Sequence, residues 1–294
     1  MMELKPGDLV RVIAPSGCLR EMDNFHKGVE IWRSRGYDLE LAPGYDEQWG
    51  YLAGTDEGRR RQLEDALKDP RIRGIVCARG GYGTTRLLEN WKDNFQFPTP
   101  KCLIGFSDIT ALLWRFSQLG VFCVHGPVLT TLAAEPQWSQ ERLFDLLEGL
   151  PVDALQGVGW GGAKVRGTLL PANLTVAGCL LGTKYQPNLE GAILAFEDVG
   201  EAPYRLDRML TQWRMMGALE GVKGIALGRF SRCVSSRPNY PSFTVEEVMS
   251  DRFGDLGLPV VSGLPFGHDG VNAALPVGVE AVLDGEAGSL AINN

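Results

Sequence analysis

The chain has 294 residues, of which 44% are hydrophobic and 22% charged, so it can bury the core of one large domain or of two ordinary ones. Its formal net charge of -7 comes from charges scattered along the chain, without the basic stripe that a nucleic-acid backbone requires. The first residues lack the pattern of a secretion signal, and no apolar run approaches the roughly 20 residues that span a bilayer. We therefore expect a cytoplasmic protein with neither nucleic-acid nor membrane partners.

The cysteines and histidines argue against a metal centre. The six cysteines lie far apart, several of them inside apolar strand-like runs, which predicts buried free thiols. There are only three histidines and no C-x-x-C or H-E-x-x-H motif. We expect no metal and no other cofactor.

Strand-like and helix-like segments alternate through the first half of the chain. The predicted strands are residues 7–17, 38–44 and 71–80, and the predicted helices are residues 22–37, 57–69 and 84–91. The same rhythm continues through segments 101–108, 109–120, 121–129 and 139–150. Such alternation predicts an α/β domain whose parallel sheet is flanked by helices.

The second half has a more mixed pattern. Residues 151–167 are rich in glycine and weakly periodic, so we interpret them as a linker between an N-terminal domain, 1–150, and a C-terminal domain, 168–294. Beyond the linker, the patterns predict strands at 191–198, 222–230 and 259–268, helices at 204–219 and 244–256, and a terminal hairpin at 279–293. This order predicts a mixed α/β domain rich in strands.

The stretch KCLIGFSDITALLW, residues 101–114, places a serine on a strand-to-helix turn. Apolar residues end a buried strand at Gly105, and helical spacing begins at Ile109. Ser107 therefore lies at the carboxyl edge of the predicted sheet, where the free N–H groups of the next helix favour negative charge. This geometry suits a nucleophile, but Ser107 or Asp108 serving only as a helix cap is the alternative.

A nucleophilic serine needs a base, and three histidines are available. His26 lies within an amphipathic helix and is interpreted as structural. His125 follows a strand, where it could line a site or bond to backbone in a Gly-Pro turn. His268 lies in a glycine- and proline-rich loop between two strands, from which it could be held against a cleft.

An acidic pair could orient such a histidine. Glu197 and Asp198 come at the end of an apolar strand, so one of them should face the site. The alternative is that both cap the next helix or pair with Arg205 and Arg208.

A glycine-rich turn lies at the same predicted sheet edge as Ser107. The stretch CARGGYGTTRLL, residues 77–88, lacks the Walker lysine and the third glycine of a dinucleotide motif, so phosphate binding is a minor hypothesis. Exposed N–H groups in such a turn can instead stabilise an oxyanion. Gly81 and the N–H of Asp108 are the candidate donors.

A set of motifs along nearly the whole chain resembles the LD-carboxypeptidase family of serine peptidases, which also contains the microcin C7 self-immunity proteins. The resemblance implies a Ser-Glu-His triad of Ser107, Glu197 and His268, and oxyanion donors at Gly81 and Asp108. The matching runs are GDLVRVIAPSG, ARGGYGTTRLL, IGFSDITALL, VHGPV, NLTVAGCLLGT, FEDVGEAPYRLDRML and LPFGHDGVNAALPVG.

The resemblance also implies a substrate and an assembly. Asn173 would contact the substrate, although Pro171 and Ala172 replace the two glycines that commonly precede it in the family. The implied substrate is a cytoplasmic murein tetrapeptide, cleaved between an L-centre and the terminal D-alanine during wall recycling, and the implied assembly is a homodimer. Because the triad residues come from both halves of the chain, we expect the site to form between the domains.

Two other functions are compatible with the sequence. An immunity-type hydrolase would cleave an aminoacyl-nucleotide analogue and would need an aromatic side chain to stack on the base, for which Trp138 and Trp160 are the candidates. A non-enzymatic two-domain protein that closes over a small ligand would require no special relation among Ser107, Glu197 and His268.

Overall fold

The computed structural model describes residues 3–89, 91, 97–235, 239 and 241–293. The chain forms two compact units. Unit 1 comprises Met1–Pro151 and Ala273–Val277, and unit 2 comprises Val152–Asn272 and Gly278–Asn294.

Unit 1 alternates strands and helices in the described residues. Its strands are β1 (Leu9–Ile13), β2 (Asp38–Leu41), β3 (Ile72–Cys77), β4 (Cys102–Gly105), β5 (Phe122–His125) and β12 (Leu275–Val277). Its helices are α1 (Met22–Ser34), α2 (Asp56–Lys68), α3 (Thr84–Glu89), α4 (Thr110–Gln118), α5 (Leu129–Leu132) and α6 (Gln137–Leu147). The last two residues of the helix predicted at 84–91 follow α3, and Asn90 lies outside the described residues.

The sheet of unit 1 has the order β12-β5-β4-β3-β1-β2. Strands β1 to β5 pair in parallel, which confirms the predicted parallel sheet, and only β12 pairs antiparallel, with β5. The parallel ladders align the strand ends, with Gly105 opposite His125. Every residue of β4 is buried, as expected for a strand whose two faces are both covered.

Unit 2 contains a mixed sheet of eight strands in the order β6-β14-β13-β8-β9-β10-β11-β7. The strands are β6 (Leu155–Gln156), β7 (Val158–Gly159), β8 (Val165–Asn173), β9 (Ala192–Val199), β10 (Gly224–Ser231), β11 (Val260–Ser262), β13 (Glu280–Asp284) and β14 (Ser289–Ile292). Helices α7 (Leu174–Leu180), α8 (Pro203–Met215) and α9 (Val245–Phe253) accompany them. Strands β8, β9, β10 and β11 pair in parallel, and the predicted hairpin forms as β13 and β14.

The unit boundaries differ from the predicted domains in two places. The segment 151–167, expected as a linker, contains β6, β7 and the start of β8, all of which pair within the second sheet. Such two-residue strands are too short to give a recognisable alternation. Strand β12 was not predicted, because it contains Pro276 and follows a glycine-rich loop; its position at the sheet edge tolerates a proline.

Two further expectations concern cysteines and membranes. All six cysteines are free thiols, and five of them are buried, whereas Cys179 is exposed. Burial raises the pKa of the Cys233 thiol to about 11, so this thiol is protonated at neutral pH. In the described part of the chain, no helix combines the length and the apolar composition needed to cross a bilayer.

Candidate active site

Ser107 occupies a strained turn at the carboxyl end of β4. Its backbone φ is +62°, a left-handed conformation that costs a non-glycine residue about 1–3 kcal/mol. A single 3₁₀ turn, Ser107–Ile109, follows the strand and leads directly into α4. The predicted strand-to-helix turn is therefore confirmed, and the side chain of Ser107 is partly accessible. A nucleophile presented on such a sharp turn is a recurring feature of hydrolases.

Asp108 holds this turn from the inside. Its carboxylate is buried and accepts hydrogen bonds from the Ser16 hydroxyl at 2.6 Å and from the Thr84 amide at 2.9 Å. The Thr84 hydroxyl donates in turn to the Asp108 carbonyl. Burial raises the pKa of the Asp108 carboxyl, although these hydrogen bonds oppose the rise. The side chain of Asp108 is thus a structural anchor, which leaves only its main chain to act as an oxyanion donor.

The glycine turn after β3 packs against Ser107. An added Cβ on Gly80 would lie 3.1 Å from the Ser107 Cβ, so a larger residue there would crowd the serine. Gly81 has a φ of +126°, which other residues rarely adopt. Its N–H has no hydrogen-bond acceptor among the residues that the structure describes. Unit 1 therefore brings together Ser107, the Gly80–Gly81 turn and Asp108.

Unit 2 brings together the predicted acid and base. Glu197, near the end of β9, is completely buried, and its Oε2 lies 2.6 Å from His268 Nδ1. The His268 side chain is 17% exposed. With a proton on Nδ1 shared with the carboxylate, Nε2 is the nitrogen that can accept a proton. Such a pair has the geometry that an oriented general base requires.

The loop before β12 is shaped to bring His268 to Glu197. Gly267 has a φ of +126°, and an added Cβ would lie 3.0 Å from the Glu197 Cβ. The Gly267 amide donates to Asn272 Oδ1 at 3.1 Å, and the Ser231 hydroxyl donates to the His268 carbonyl. These main-chain contacts fix the histidine backbone on both sides of its side chain.

Asn173 lies beside Glu197 and is almost completely buried. The register of β8 and β9 places the two residues opposite each other. The Asn173 Nδ2 donates to Glu197 Oε1 and to Asp198 Oδ1, both at 3.2 Å, and its Oδ1 caps α7 by accepting from the Val176 amide. Asn173 therefore contacts the carboxylate that contacts His268, and its contact with a substrate stays a prediction.

Asp198 supports this arrangement from the other side. Its Oδ2 accepts from the amide and hydroxyl of Thr175, at 2.9 and 2.8 Å. Burial raises the pKa of the Asp198 carboxyl to about 6, opposed by the Thr175 hydrogen bonds and increased by the neighbouring Glu197 charge. Arg205, offered as an alternative partner of this acidic pair, contacts Glu201 instead, and among the described residues neither Glu197 nor Asp198 forms a salt bridge with it.

The remaining candidates do not belong to these two clusters, although His125 lies opposite Gly105, close to Ser107 in the sheet. His125 is completely buried on β5, with its ring 5.9 Å from that of Phe106 in an edge-to-face contact, which favours a packing role. His26 is exposed on α1. Trp138 is exposed on α6, and Trp160 donates to the Ser262 hydroxyl at 2.9 Å. The described residues contain no group of three or more side chains suited to hold a metal ion.

Four residues that hold the site together were not predicted from the sequence. Ser16, Thr84 and Thr175 hold the two buried aspartates, and Gly267 allows His268 to approach Glu197. A detectable signal was the position of Ser16 and Thr84, which follow β1 and β3 at the same sheet edge as Ser107. No comparable pattern marks Thr175.

Together, these features define a two-unit α/β protein with a strained serine in one unit and, in the other, a histidine held on a buried glutamate. Comparison with family models matches the LD-carboxypeptidase N-terminal domain to residues 10–126 and the LD-carboxypeptidase C-terminal domain to residues 166–283. The chain belongs to the LD-carboxypeptidase family of serine peptidases.

Individual relatives extend over nearly the whole chain. A Synechocystis sp. protein, whose carboxypeptidase name is provisional, is 55% identical over 292 residues, covering 98% of this chain and 95% of its own. The murein tetrapeptide carboxypeptidase of Pseudomonas aeruginosa is 34% identical, covering 94% of this chain and 93% of its own. Among solved structures, MccF in complex with glutamyl sulfamoyl guanosine has a TM-score of 0.88 at 20% identity, covering 100% and 98% of the two chains. At that identity, the likeness to MccF shows a shared fold.

Proposed function

We propose that this protein is a serine LD-carboxypeptidase that releases the terminal D-alanine from cytoplasmic murein tetrapeptides during cell-wall recycling. The observation that carries the proposal is the 2.6 Å contact between His268 Nδ1 and the buried Glu197 carboxylate. The similarity to the murein tetrapeptide carboxypeptidase of Pseudomonas aeruginosa supports the murein substrate.

In the proposed mechanism, Ser107, His268 and Glu197 act as a triad. His268 Nε2 takes the Ser107 hydroxyl proton while Oγ attacks the scissile carbonyl, and the N–H groups of Gly81 and Asp108 stabilise the oxyanion. The C–N bond then breaks, His268 gives the proton to the departing amine of D-alanine, and an acyl-enzyme remains. Water, deprotonated by His268, hydrolyses this ester and regenerates Ser107. Glu197 orients the imidazole and stabilises its charged form throughout.

The chain returns to unit 1 shortly after His268. Leu275 follows His268 by seven residues and pairs within unit 1 with His125, which lies opposite Gly105. Gly105 ends the strand that precedes Ser107.

The side-chain geometry favours an enzyme over a simple binding protein. A two-domain binding protein has no need for a histidine held on a completely buried carboxylate, because burying an acid is costly without a function or a strong partner. Cleavage of an aminoacyl-nucleotide analogue would use the same triad. For that reason, the choice of substrate must be tested directly.

The test is a mass-spectrometric assay of the purified protein with murein tri-, tetra- and pentapeptides. We expect D-alanine release from the tetrapeptide only, and equal release from tetrapeptides ending in D- and L-alanine would contradict the assignment. Cleavage of an aminoacyl-adenylate analogue, without any action on the tetrapeptide, would favour the immunity-type function. A sedimentation measurement tests the proposed homodimer.

A further inference from the structure

Unit 1 contains a pocket that the triad does not use. Its volume is about 360 Å³, near the lower end of the range for small-molecule sites. It is lined by Gly17, Arg20, Tyr51, Arg79, Gly81 and Tyr82. The pocket therefore shares Gly81 with the proposed oxyanion hole.

The guanidinium of Arg79 lies over two glycines of this pocket. An added Cβ would lie 2.5 Å from Arg79 Nη1 if placed on Gly17, and 3.0 Å from it if placed on Gly81. Because neither glycine has a side chain, both provide the space that the Arg79 guanidinium occupies. The Gly17 amide donates to the Gly80 carbonyl at 3.2 Å, which ties the two glycine-containing segments together. Arg79 is consequently held close to the Gly81 main chain.

The contacts of Arg79 leave hydrogen-bonding capacity for an anion. Its Nε donates to Glu21 Oε2 at 3.0 Å, and its Nη1 lies 3.4 Å from the Gly80 carbonyl. Its Nη2 has no acceptor in the part of the chain that the structure describes. A guanidinium presents five donors in a planar fork that matches a carboxylate. With Arg20 also lining the pocket, the positive charge of the two arginines exceeds the negative charge of Glu21.

We infer that this pocket binds the C-terminal carboxylate of the residue that leaves, with Arg79 as its principal partner. The inference rests on the proposed function, because it assumes that Gly81 holds the scissile carbonyl oxygen. In a C-terminal residue, the carboxylate carbon follows the scissile carbonyl carbon by three covalent bonds, a separation of about 4 Å at most. The residue that binds this carboxylate must therefore lie beside the oxyanion donor. Arg79 lies beside Gly81, the proposed donor.

The aromatic residues of the pocket complete a site for a small residue. The rings of Tyr51 and Tyr82 lie 5.7 Å apart and are both substantially exposed. They offer an apolar wall beside the cationic group, which suits the methyl group and carboxylate of a terminal alanine. The pocket would thus select for a free C-terminus and make the enzyme a carboxypeptidase.

The test compares two substrates in two proteins. The substrates are the murein tetrapeptide and its C-terminal D-alaninamide, which has nearly the same size but lacks the negative charge of the terminal carboxylate. For the wild type, we expect kcat/KM to be about 100-fold lower with the amide, because the arginine would lose a charge-assisted partner. In Arg79→Gln, this preference should fall to about fivefold or less, through slower turnover of the carboxylate substrate. Arg61→Gln, on the exposed face of α2, is the control that should keep the wild-type preference.

Arg20→Gln gives a second, independent readout, since Arg20 is exposed and its loss should leave folding intact. It should lower the preference by a smaller factor than Arg79→Gln. Equal rates on both substrates in the wild type, or an unchanged preference in folded Arg79→Gln, would overturn the carboxylate pocket while D-alanine release still upheld the proposed function. No release from either substrate by the wild type would overturn both.

Discussion

The two halves of the candidate site are built by different means. In unit 1, main-chain geometry defines the site: Ser107 has a left-handed backbone, and Gly80 leaves space beside it. In unit 2, a network of polar side chains defines the site: Glu197 contacts His268 and Asn173, and Asn173 also contacts Asp198. The proposed nucleophile is held by backbone shape, and the proposed base by a network of side chains.

This difference determines how each half should respond to mutation. A backbone-defined site tolerates the loss of a side chain structurally but not the addition of a Cβ. A buried polar network tolerates little change, because each partner left without its hydrogen bond carries a desolvation cost. The predictions below use this contrast, starting from the largest expected effect.

Removing the nucleophile should abolish turnover and expose the backbone strain. We expect Ser107→Ala to lower kcat by about 10⁴-fold or more, because the hydroxyl forms the covalent bond. Ser107→Gly should be equally inactive but more stable than Ser107→Ala by about 1 kcal/mol, since glycine accepts a φ of +62°. D-Alanine release and urea unfolding measure the two effects. Near wild-type turnover in either variant would exclude the serine mechanism, and equal stabilities would exclude the strain.

Neutralising Glu197, the proposed orienting acid in unit 2, should lower kcat nearly as strongly. Glu197→Gln keeps the size of the side chain but cannot compensate a charged imidazole, so we expect kcat to fall by about 10⁴-fold with the fold retained. Glu201→Gln is the matched control, because Glu201 contacts Arg205 instead of His268. Steady-state kinetics with the tetrapeptide measure both variants. Equal kcat values for Glu197→Gln and Glu201→Gln would contradict the role of Glu197.

A Cβ on the glycine turn should disturb the oxyanion hole. In Gly81→Ala, the new atom would lie 3.1 Å from Gly17 Cα and would force the turn out of its φ of +126°. We expect kcat to fall by about 10²–10³-fold, the usual effect of losing one donor. Gly120→Ala is the control, because Gly120 also has a positive φ, of +84°, but has nothing within 4 Å. If both variants kept wild-type kinetics, the oxyanion donor would have to be elsewhere.

A milder change should separate two roles for Asn173. Asn173→Ser keeps an oxygen to cap α7 and removes the amide that donates to Glu197 and Asp198. If Asn173 acts by positioning Glu197, we expect kcat to fall about tenfold with little change in KM. A large rise in KM with kcat preserved would instead support direct contact with the substrate, as the family resemblance implies.

The part of the candidate site in unit 1 could be predicted from the sequence more directly than the part in unit 2. Period-2 and period-3.6 patterns are local, so β4, the Ser107 turn and α4 could be recognised directly. The pairing of His268 with Glu197 joins residues 71 positions apart; the residue patterns left His125 or His268 and Glu197 or Asp198 open, and the family resemblance selected the pair. Strand β12 escaped detection because three residues that include a proline carry almost no periodicity. The buried anchor Asp108 looked like an ordinary helix cap, since burial depends on tertiary contacts.

The last effect concerns how the stability of unit 2 depends on pH. The pKa of Asp198 is raised from its usual 3.8 to about 6, so between these values the folded protein binds a proton that the unfolded chain has released. Stability therefore falls as pH rises from about 4 to 6, and the full cost, about 3 kcal/mol, is present above pH 6.

In Asp198→Asn this cost disappears, because the amide is neutral and its oxygen can still accept from Thr175. Urea unfolding of both proteins from pH 4 to pH 8 should thus show the wild type losing stability relative to the variant. Asp255→Asn is the control, because Arg214 lowers the pKa of the exposed Asp255 carboxyl, so that its contribution to stability changes only below about pH 4 and stays constant over this range. A pH-independent difference between wild type and Asp198→Asn would mean that Asp198 is ionised without cost, and that the network around Glu197 holds two full charges.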